Sequence, residues 1–589
     1  MITYRTKQSG FSFVEAIIVA SLSVMIFGAL FGSFQYTLQL INNSRAKLSA
    51  LSVANDRMEF FRSLPYDEVG TIAGIPPGTI PQNSTTTLNG IEFLERVLVE
   101  YVDDPADGQD TGTSTDSNGI PADYKRIKVE YTWSIGSATS SLSLISNVVP
   151  RSVETTAGGG TVRINVIDEN SVLLPGASVR LLNDMATTVI DVTRLTDASG
   201  SALFSGAPAG SGYEVTVTGN ISGNQYSTTG TYIATTTNPN PVLSPFAVLE
   251  ADVSTLTFQI GALSDVEIIA YSDITEGSST EPFADLTSVA TSTNIAVDAN
   301  DAVLSSSLGV YANSGIVYTQ VVTPASLERW EVARVAAEDS FDTSYLVRFY
   351  TGSSTGPFSL IPNGDLPGNS IGFTDGLIDL SELDVATYPS ITAGVTLATS
   401  DTSQTPRVDE IAIYYRESAT ARSGTDFTIR GDKTIGTNSS SSPIYKYQRS
   451  FTTDTVGSYS IFSLEFDDYT IENSDGYDLA SACSGQPYEH QAGVDGVLEQ
   501  LLVPSSAHTV RIIVTDGLGR MLPGAEVSLT RPGYSSTLNT NSCGQVFFSG
   551  GVSAASDYEV EVTLPGFTDE TVSAVDVTGD SELTVTLMN

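Results

Sequence analysis

The sequence predicts a mainly β, multidomain protein that begins with one long α-helix. Three observations predict this fold class. The chain has 589 residues, enough for about four domains of ordinary size. Residues 11–34 are apolar or small apart from one acid, which predicts a helix. From residue 65 onward, short segments of alternating apolar residues are separated by turns rich in Gly, Pro and Asp, as in antiparallel β proteins.

The charge balance excludes several functions. Lys and Arg together number 27 and Asp and Glu number 68, so the formal net charge is −41. Such a field repels phosphate backbones, and nucleic acid is therefore not an expected partner. Two Cys and two His leave little for metal or thiol chemistry, so neither a metal nor a cofactor is expected. The composition argues against an enzyme.

The N-terminus differs from the rest of the chain. Residues 1–10 contain Arg5 and Lys7 and no acid, and Glu15 is the only charge in residues 11–34. At about 1.5 Å per residue, those 24 residues form a helix of about 36 Å, enough for a bilayer core of about 30 Å. Because basic residues stay on the cytoplasmic side, we expect a single-pass membrane protein with its acidic remainder outside.

Residues 7–15, KQSGFSFVE, resemble the cleavage and methylation motif of type IV prepilins. The resemblance implies that a prepilin peptidase removes a leader, residues 1–10, by cutting after Gly10, and that Phe11 is then methylated. It also implies that Glu15 pairs with the Phe11 ammonium of a neighbouring subunit in a fibre, since a carboxylate in a membrane needs a partner. The alternative is an ordinary membrane anchor in which Glu15 lies at a helix start in the interface.

The helix is expected to span residues 11–64, because apolar residues recur on one stripe and Pro65 ends the pattern. In pilins this half of the helix packs on a small antiparallel sheet, which the β-rich segments 91–101 and 124–134 can supply. We therefore expect a pilin-like β head in residues 65–150. A coiled coil in residues 35–64 is the alternative. The stripe consists of Leu38, Ile41, Leu48, Leu51, Met58 and Phe61.

A repeat fills much of the remaining chain. Residues 161–181, TVRINVIDENSVLLPGASVRL, align without a gap with residues 509–529, TVRIIVTDGLGRMLPGAEVSL. Further on, Tyr213 aligns with Tyr558, and a weaker third copy contains Tyr469. The copies resemble carboxypeptidase regulatory-like and CnaB-like domains. That resemblance implies Greek-key, Ig-like β-sandwiches at residues 161–235 and 506–589, with a degenerate copy at 421–505; it leaves function open.

Residues 262–416 have no helical period and resemble a larger jelly-roll or discoidin-like sandwich. Many domains of that kind bind carbohydrate through an aromatic residue with acids or amides beside it. Trp330, which lies next to Glu328 and Arg329, is therefore a candidate ligand platform for surface glycans. The alternative is that Trp330 is a core residue.

Two further patterns bear on chemistry. Cys483 and Cys543 lie 60 residues apart in a region expected outside the cytoplasm, where disulfides persist. A disulfide between them is expected, and two buried thiols are the alternative.

Residues 352–356, GSSTG, satisfy the nucleophile-elbow pattern, but the residues after them do not predict the helix that this motif needs. A hairpin tip is expected there, and no catalytic residue is predicted.

With the prepilin resemblance, these observations predict a non-catalytic minor type IV pilin-like subunit. It is expected in the inner membrane before assembly, and afterwards in an extracellular fibre or on the cell surface. Its β modules would serve adhesion or pilus-tip assembly. The expected partners are the prepilin peptidase, other pilin subunits and the membrane, together with surface glycans. The alternatives are a membrane-tethered carbohydrate-binding surface protein and a secretion-system pseudopilin.

Overall fold

The structure is a computed structural model that describes residues 13–102, 124–135, 138–149, 159–185, 189–250, 252–354, 356–473 and 476–588. It divides into two compact units. The first is Met1–Ala262 with Thr434–Ile444, and the second is Leu263–Lys433 with Tyr445–Asn589. Among the described residues one long helix precedes a series of β-sandwiches, so the predicted fold class is confirmed.

The first unit begins with a helix and a four-stranded antiparallel sheet, here called the head sheet. Helix α1 spans Phe13–Ser63, ends just before Pro65, and is followed by a short 3-10 turn, Tyr66–Glu68. The strands, in sheet order, are β1 Asn83–Leu88, β2 Ile91–Val102, β3 Tyr124–Ile135 and β4 Ala138–Val148. Side chains on β2 and β3 alternate between the two faces, and the buried face packs against the C-terminal half of α1.

The first sandwich completes this unit. Its strands are β5 Gly160–Ile167, β6 Ser178–Asn183, β7 Ile190–Leu195, β8 Ser201–Ala207, β9 Gly210–Ile221, β10 Asn224–Gly230, β11 Asn240–Pro241, β12 Phe246–Val248 and β13 Val253–Gln259. β5 is the central strand of one sheet, antiparallel to β8 and parallel to β13. The second sheet has the order β10-β9-β6-β7. The predicted boundary at residue 235 is wrong, because β13 completes the sheet beside β5.

The second unit contains the inserted sandwich, whose two antiparallel sheets enclose a large apolar core. Its strands are β14 Ser264–Glu281, β15 Thr291–Thr293, β16 Ile295–Asp298, β17 Asp301–Leu304, β18 Ser306–Ser307, β19 Val310–Tyr311, β20 Ser314–Tyr318, β21 Arg329–Glu338, β22 Thr343–Gly352, β23 Phe358–Leu360, β24 Leu377–Asp379, β25 Thr392–Thr399 and β26 Arg407–Ala421. One sheet contains β16, β17, β26, β21 and β24, with the C-terminal part of β14. The other has the order β15-β20-β25-β22-β23.

The middle sandwich is discontinuous in sequence, because its central strand is the N-terminal part of β14. The later strands are β27 Asp426–Gly431, β28 Thr434–Thr437, β29 Pro443–Tyr445, β30 Gln448–Thr452, β31 Ser458–Leu464, β32 Asp467–Asn473, β33 Tyr477–Ala482, β34 Tyr488–His490 and β35 Gly496–Pro504. β14 pairs antiparallel with β31 and parallel with β35. β28 and β29 do not belong to this sandwich: they form a three-stranded sheet with β11, and residues 434–444 are part of the first unit. The predicted domains 262–416 and 421–505 are therefore not consecutive, since the larger is inserted after the first strand of the smaller.

The C-terminal sandwich is continuous in sequence. Its strands are β36 Thr509–Asp516, β37 Glu526–Arg531, β38 Tyr534–Asn539, β39 Gln545–Phe548, β40 Ala555–Thr563, β41 Glu570–Val577 and β42 Asp580–Leu587. The central strand β36 is antiparallel to β39 and parallel to β42. This is the arrangement of β5 in the first sandwich and of β14 in the middle one.

Matching backbone hydrogen bonds identify the point of insertion. In each copy one residue of the central strand makes two backbone hydrogen bonds. Its amide donates to the carbonyl of a turn glycine, and its own carbonyl accepts from the amide of the residue that begins the next segment. The donor–glycine pairs are Val166–Gly200, Ala270–Gly457 and Val514–Gly544, and the carbonyl partners are Leu174, Arg422 and Leu522. The strand residue and the first residue of the next segment are eight positions apart in the first and C-terminal copies, and 152 positions apart in the middle copy. The inserted sandwich occupies that longer interval.

The aligned tyrosines also occupy equivalent positions. Each ring is buried, and each hydroxyl donates to a carbonyl a few residues earlier in the chain. The pairs are Tyr213–Pro208 at 2.6 Å, Tyr469–Glu465 at 2.8 Å and Tyr558–Ser553 at 3.2 Å. The degenerate copy therefore has the same fold as the other two.

Candidate functional site

The N-terminal half of α1 exposes a continuous apolar surface. A stretch of it has a mean hydropathy of 1.4 with no buried residue, and by length and composition this helix can cross a membrane. An apolar surface of this extent is expected to contact a bilayer or a partner. The exposed side chains are Ile17, Leu22, Val24, Met25, Ile26, Phe27, Leu30, Phe31, Phe34, Leu40 and Ile41, between 41% and 74% exposed.

The C-terminal half of α1 packs on the head sheet through small residues. Ala46, Ala50 and Ala54 are fully buried, and residues four apart lie on one face of a helix. Met58 and Phe61 continue this face into the core of the head. Because alanine has a short side chain, the helix axis can lie close to the strands.

The predicted packing stripe is therefore wrong at four of its six positions. Its first four members lie on another side of the helix from the alanines, and 100° of rotation per residue explains the difference. Leu48 and Leu51 leave an exposed apolar strip beside the alanine face, while Leu38 and Ile41 precede Ala46 and continue the exposed surface of the N-terminal half. The exposed members are Leu38, Ile41, Leu48 and Leu51, and the buried members are Met58 and Phe61.

An ion pair fixes α1 to the sheet. Arg57 Nε lies 2.8 Å from Glu95 Oε1, and the Tyr131 hydroxyl donates to the same oxygen at 2.8 Å. Burial and this hydrogen bond raise the pKa of Tyr131. The sequence contained a signal for this site that we did not use, because Glu95 lies in phase with the buried residues of β2.

A buried lysine fixes the chain just after the helix ends. Lys125 Nζ donates to the carbonyl oxygens of Tyr66 and Val69, each at 2.8 Å. Burial lowers the pKa of Lys125 to about 8 against the attraction of Asp67. The two contacts hold the 3-10 turn on the head sheet just after the helix ends.

The predicted processing residues are placed only in part. Gly10 and Phe11 lie outside the described residues. Glu15 lies in the first turn of α1, where the structure describes the backbone and not this side chain. The roles of these three residues in cleavage, methylation and fibre packing stay predictions.

Trp330 is a core residue, so its expected role as a ligand platform is wrong. The side chain is fully buried, its Nε1 donates to the Tyr388 carbonyl at 2.8 Å, and its ring packs edge-on against Tyr415. A ring enclosed in this way cannot stack on a glycan at the surface.

The two cysteines join the middle and C-terminal sandwiches. Cys483 and Cys543 form a disulfide. Beside it, the Gln545 amide acts like a strand backbone, because its oxygen accepts from the Ala482 amide and its nitrogen donates to the Ala482 carbonyl. Ser542 adds two hydrogen bonds to Glu276, at 2.7 and 2.8 Å. The side chains of residues 542 and 545 were not predicted to take part.

Replacing both cysteines by serine is expected to destabilise the second unit by roughly 4 kcal/mol, since the bond closes a loop of 60 residues. Urea unfolding of the wild type and of the double variant, each with and without a reductant, measures the effect. The reductant should lower the midpoint of the wild type and leave that of the variant unchanged. An equal midpoint in all four samples would contradict the prediction.

The described part of the GSSTG pattern, residues 352–354 and 356, lies where β22 pairs antiparallel with β23 and not at a strand-to-helix turn. Among the described residues, no three His, Cys, Asp or Glu side chains are grouped so that they could hold a metal ion.

One part of the chain matches a known family. Residues 509–588 match the carboxypeptidase regulatory-like domain, in agreement with the resemblance of the C-terminal repeat. The match identifies one domain and not the family of the whole chain. No curated protein sequence is significantly similar to the chain.

Several solved structures resemble the chain weakly. The Bacillus anthracis TIE protein is 11% identical, with 86% of this chain and 73% of that chain covered and a TM-score of 0.14. BcpA, the major pilin subunit of Bacillus cereus, is 11% identical, with 73% and 99% covered and a TM-score of 0.13. The RrgB pilus protein of Streptococcus pneumoniae is 10% identical, with 74% and 99% covered and a TM-score of 0.12. Scores this low carry no argument about the function of this chain.

Proposed function

We propose that the chain is a non-catalytic minor type IV pilin-like subunit. The observation that carries the proposal is the division of α1. Its C-terminal half is held by the head sheet through Ala46, Ala50 and Ala54, while its N-terminal half presents apolar side chains that the described chain does not cover. A helix of this kind can lie in a bilayer before assembly and then pack against other helices.

The prepilin-like residues support the same function. Residues 7–15 lie at the start of the exposed helix. Cleavage after Gly10 would there separate the helix from the leader, residues 1–10. The β modules follow the head and would extend outward from the membrane or the fibre. More than 500 residues follow the helix, and a segment of that size is harder to repeat densely along a fibre than to place at a tip or at rare positions. The function we propose is therefore adhesion or initiation of assembly.

Changing Gly10→Val is expected to block removal of residues 1–10, because a bulky side chain occupies the position at which the leader is cut. Mass spectrometry of protein isolated from a bacterium with an active prepilin peptidase measures the outcome. The wild type should begin at Phe11, with a methylated amine, and the variant at Met1. The matched control is Gly28→Val, where an added Cβ meets nothing within 4 Å; it should be processed normally.

Three outcomes separate the candidate functions. Wild-type protein that keeps residues 1–10 would contradict the proposal and leave a tethered surface protein. Normal processing of Gly10→Val would also contradict it. If the wild type is cut, electron microscopy with an antibody against residues 506–589 distinguishes a pilus subunit from a pseudopilin, because only the pilus subunit should label extracellular fibres.

A further inference from the structure

A cavity of about 430 Å³ lies between the inserted sandwich and the C-terminal sandwich, within the second unit. Ligand sites are commonly concave, lie between domains and have volumes of about 300–1,000 Å³. The volume is that of a ligand with one or two sugar rings. The inserted sandwich contributes Tyr345 and Asp375 to the lining, and the C-terminal sandwich contributes Arg520, Asp516 and Phe567.

The polar side of the cavity is built around Arg520. Its Nε donates to Asp516 Oδ2 at 2.7 Å, and one of its terminal nitrogens donates to Asp375 Oδ1. Asp516 is buried and also accepts two backbone amides through Oδ1, so it fixes the direction of the guanidinium. The pair Arg520 and Asp375 therefore crosses from one sandwich to the other beside the cavity.

This pair keeps hydrogen-bonding capacity for a ligand. A guanidinium has five N–H donors, and the two ion pairs described for Arg520 use two of them. Both described contacts of Asp375 fall on Oδ1, and this side chain is 54% exposed. Oδ2 and the remaining guanidinium N–H groups thus offer an acceptor and a donor side by side. A hydroxyl group can donate to the first and accept from the second.

The charges of the lining cancel, because Arg334 and Arg520 are balanced by Asp375 and Asp516. Each of the two arginines is already paired, Arg520 with both aspartates and Arg334 with Glu410 outside the lining. Arg334 also donates to the Pro565 carbonyl of the C-terminal sandwich at 3.3 Å. A charged ligand would lose its hydration without gaining an unpaired opposite charge. A neutral ligand with several hydroxyl groups does not incur that cost.

The other walls are partly aromatic and apolar. Phe567 is half-buried and Leu518 is largely exposed, and both line the cavity. Tyr345 is largely buried and its hydroxyl donates to the Thr374 carbonyl at 2.7 Å, so it closes the wall of the cavity without offering a hydrogen bond to a ligand. Such a surface suits the apolar face of a pyranose ring.

We propose that this cavity binds a neutral saccharide, with Asp375 and Arg520 reading its hydroxyl groups and Phe567 contacting its apolar face. The proposal rests on the adhesive function proposed above and places a ligand site within the β modules that follow the head. It differs from the expected site at Trp330, which is buried in the core of the inserted sandwich.

Calorimetric titration of the full-length chain, kept in a detergent without a sugar group, tests the proposal. The probes are glucose, galactose, mannose, N-acetylglucosamine, lactose and N,N′-diacetylchitobiose, each up to about 10 mM so that millimolar Kd values are detected. N-acetylneuraminic acid and glutamine serve as charged and zwitterionic probes. We expect at least one neutral sugar to bind, and we expect neither N-acetylneuraminic acid nor glutamine to bind.

Two variants locate the binding. Asp375→Asn should weaken it about tenfold, since a hydrogen bond to a charged acceptor is lost, and Phe567→Leu should weaken it severalfold while keeping an apolar side chain in the wall. The control is Asp569→Asn. Asp569 is an exposed residue of the C-terminal sandwich outside the lining of the cavity, and this variant should bind the sugar as the wild type does. Thermal unfolding of each variant shows that the fold is kept.

Binding of no neutral sugar, binding of a charged probe alone, or binding that Asp375→Asn and Phe567→Leu leave unchanged would each overturn the proposal. These results are independent of leader removal at Gly10. A processed chain that binds no sugar would leave the pilin-like function standing, and an unprocessed chain that binds sugar would leave the cavity site standing.

Discussion

A fragment of residues 421–505 is expected to remain unfolded in isolation, because it lacks the central strand of the middle sandwich. That strand is the N-terminal part of β14, from which Val266 and Ile268 are buried with Phe427, Ile429 and Leu498. Without it, β31 and β35 both lose β14 as a neighbour, and β35 keeps its pairing with β33. Circular dichroism and urea titration should show no cooperative unfolding transition.

Two control fragments test the reason. Residues 506–589 hold every strand of the C-terminal sandwich in one continuous segment, and this fragment should unfold cooperatively. Residues 263–505 restore β14 together with the inserted sandwich, and this fragment should regain the middle sandwich. A cooperative transition in residues 421–505 alone would show that the repeat folds without β14, against the topology described here.

Replacing Glu499 by Gln is expected to destabilise the junction of the inserted and middle sandwiches by about 3 kcal/mol. Glu499 lies on β35 and accepts two hydrogen bonds from Arg416, at 2.7 and 3.0 Å, and others from Arg329. Arg416 is buried and also lies 3.1 Å from Glu331. The substitution leaves a buried guanidinium with too little opposite charge.

The same carboxylate should give the wild type a defined acid sensitivity. Burial by itself raises the pKa of Glu499, but the bonds from Arg416 and Arg329 outweigh it and hold the pKa at about 2, below the ordinary 4.5. A lowered folded-state pKa means that this stabilisation is complete above the ordinary pKa and is lost as the pH falls from about 4.5 to about 2. Glu499→Gln should lack this part of the pH dependence.

Urea unfolding at several pH values measures both effects. The matched control is Glu582→Gln, because Glu582 pairs with Arg511 but is 42% exposed, and a surface pair contributes less than about 1 kcal/mol. If the two variants lose the same stability at neutral pH, the buried cluster does not have the role assigned to it.

Local patterns predicted most of the elements. The apolar run and Pro65 predicted a helix over residues 11–64, and the structure has α1 at Phe13–Ser63. The alternating segments 91–101 and 124–134 correspond to β2 and β3. The repeat predicted three sandwiches of one topology, because strand alternation and turn residues act over short distances.

Long-range choices were not predictable from the same patterns. The alanine face of α1 was missed, since alanine has little hydrophobic signal and its burial depends on how closely the sheet approaches. Trp330 had two interpretations that only packing could separate. The use of β14 by two sandwiches was also missed, because its partner β35 lies more than 200 residues later in the chain.

The sequence by itself determined the mainly β class, the N-terminal helix, the repeats and the prepilin-like motif, because each depends on neighbouring residues. The tertiary structure decided which helix face stays exposed, which copy is interrupted, and which polar side chains meet at Glu499, at the disulfide and around the cavity. Those outcomes depend on contacts between distant segments, and their energies come from burial and pairing that no local pattern records.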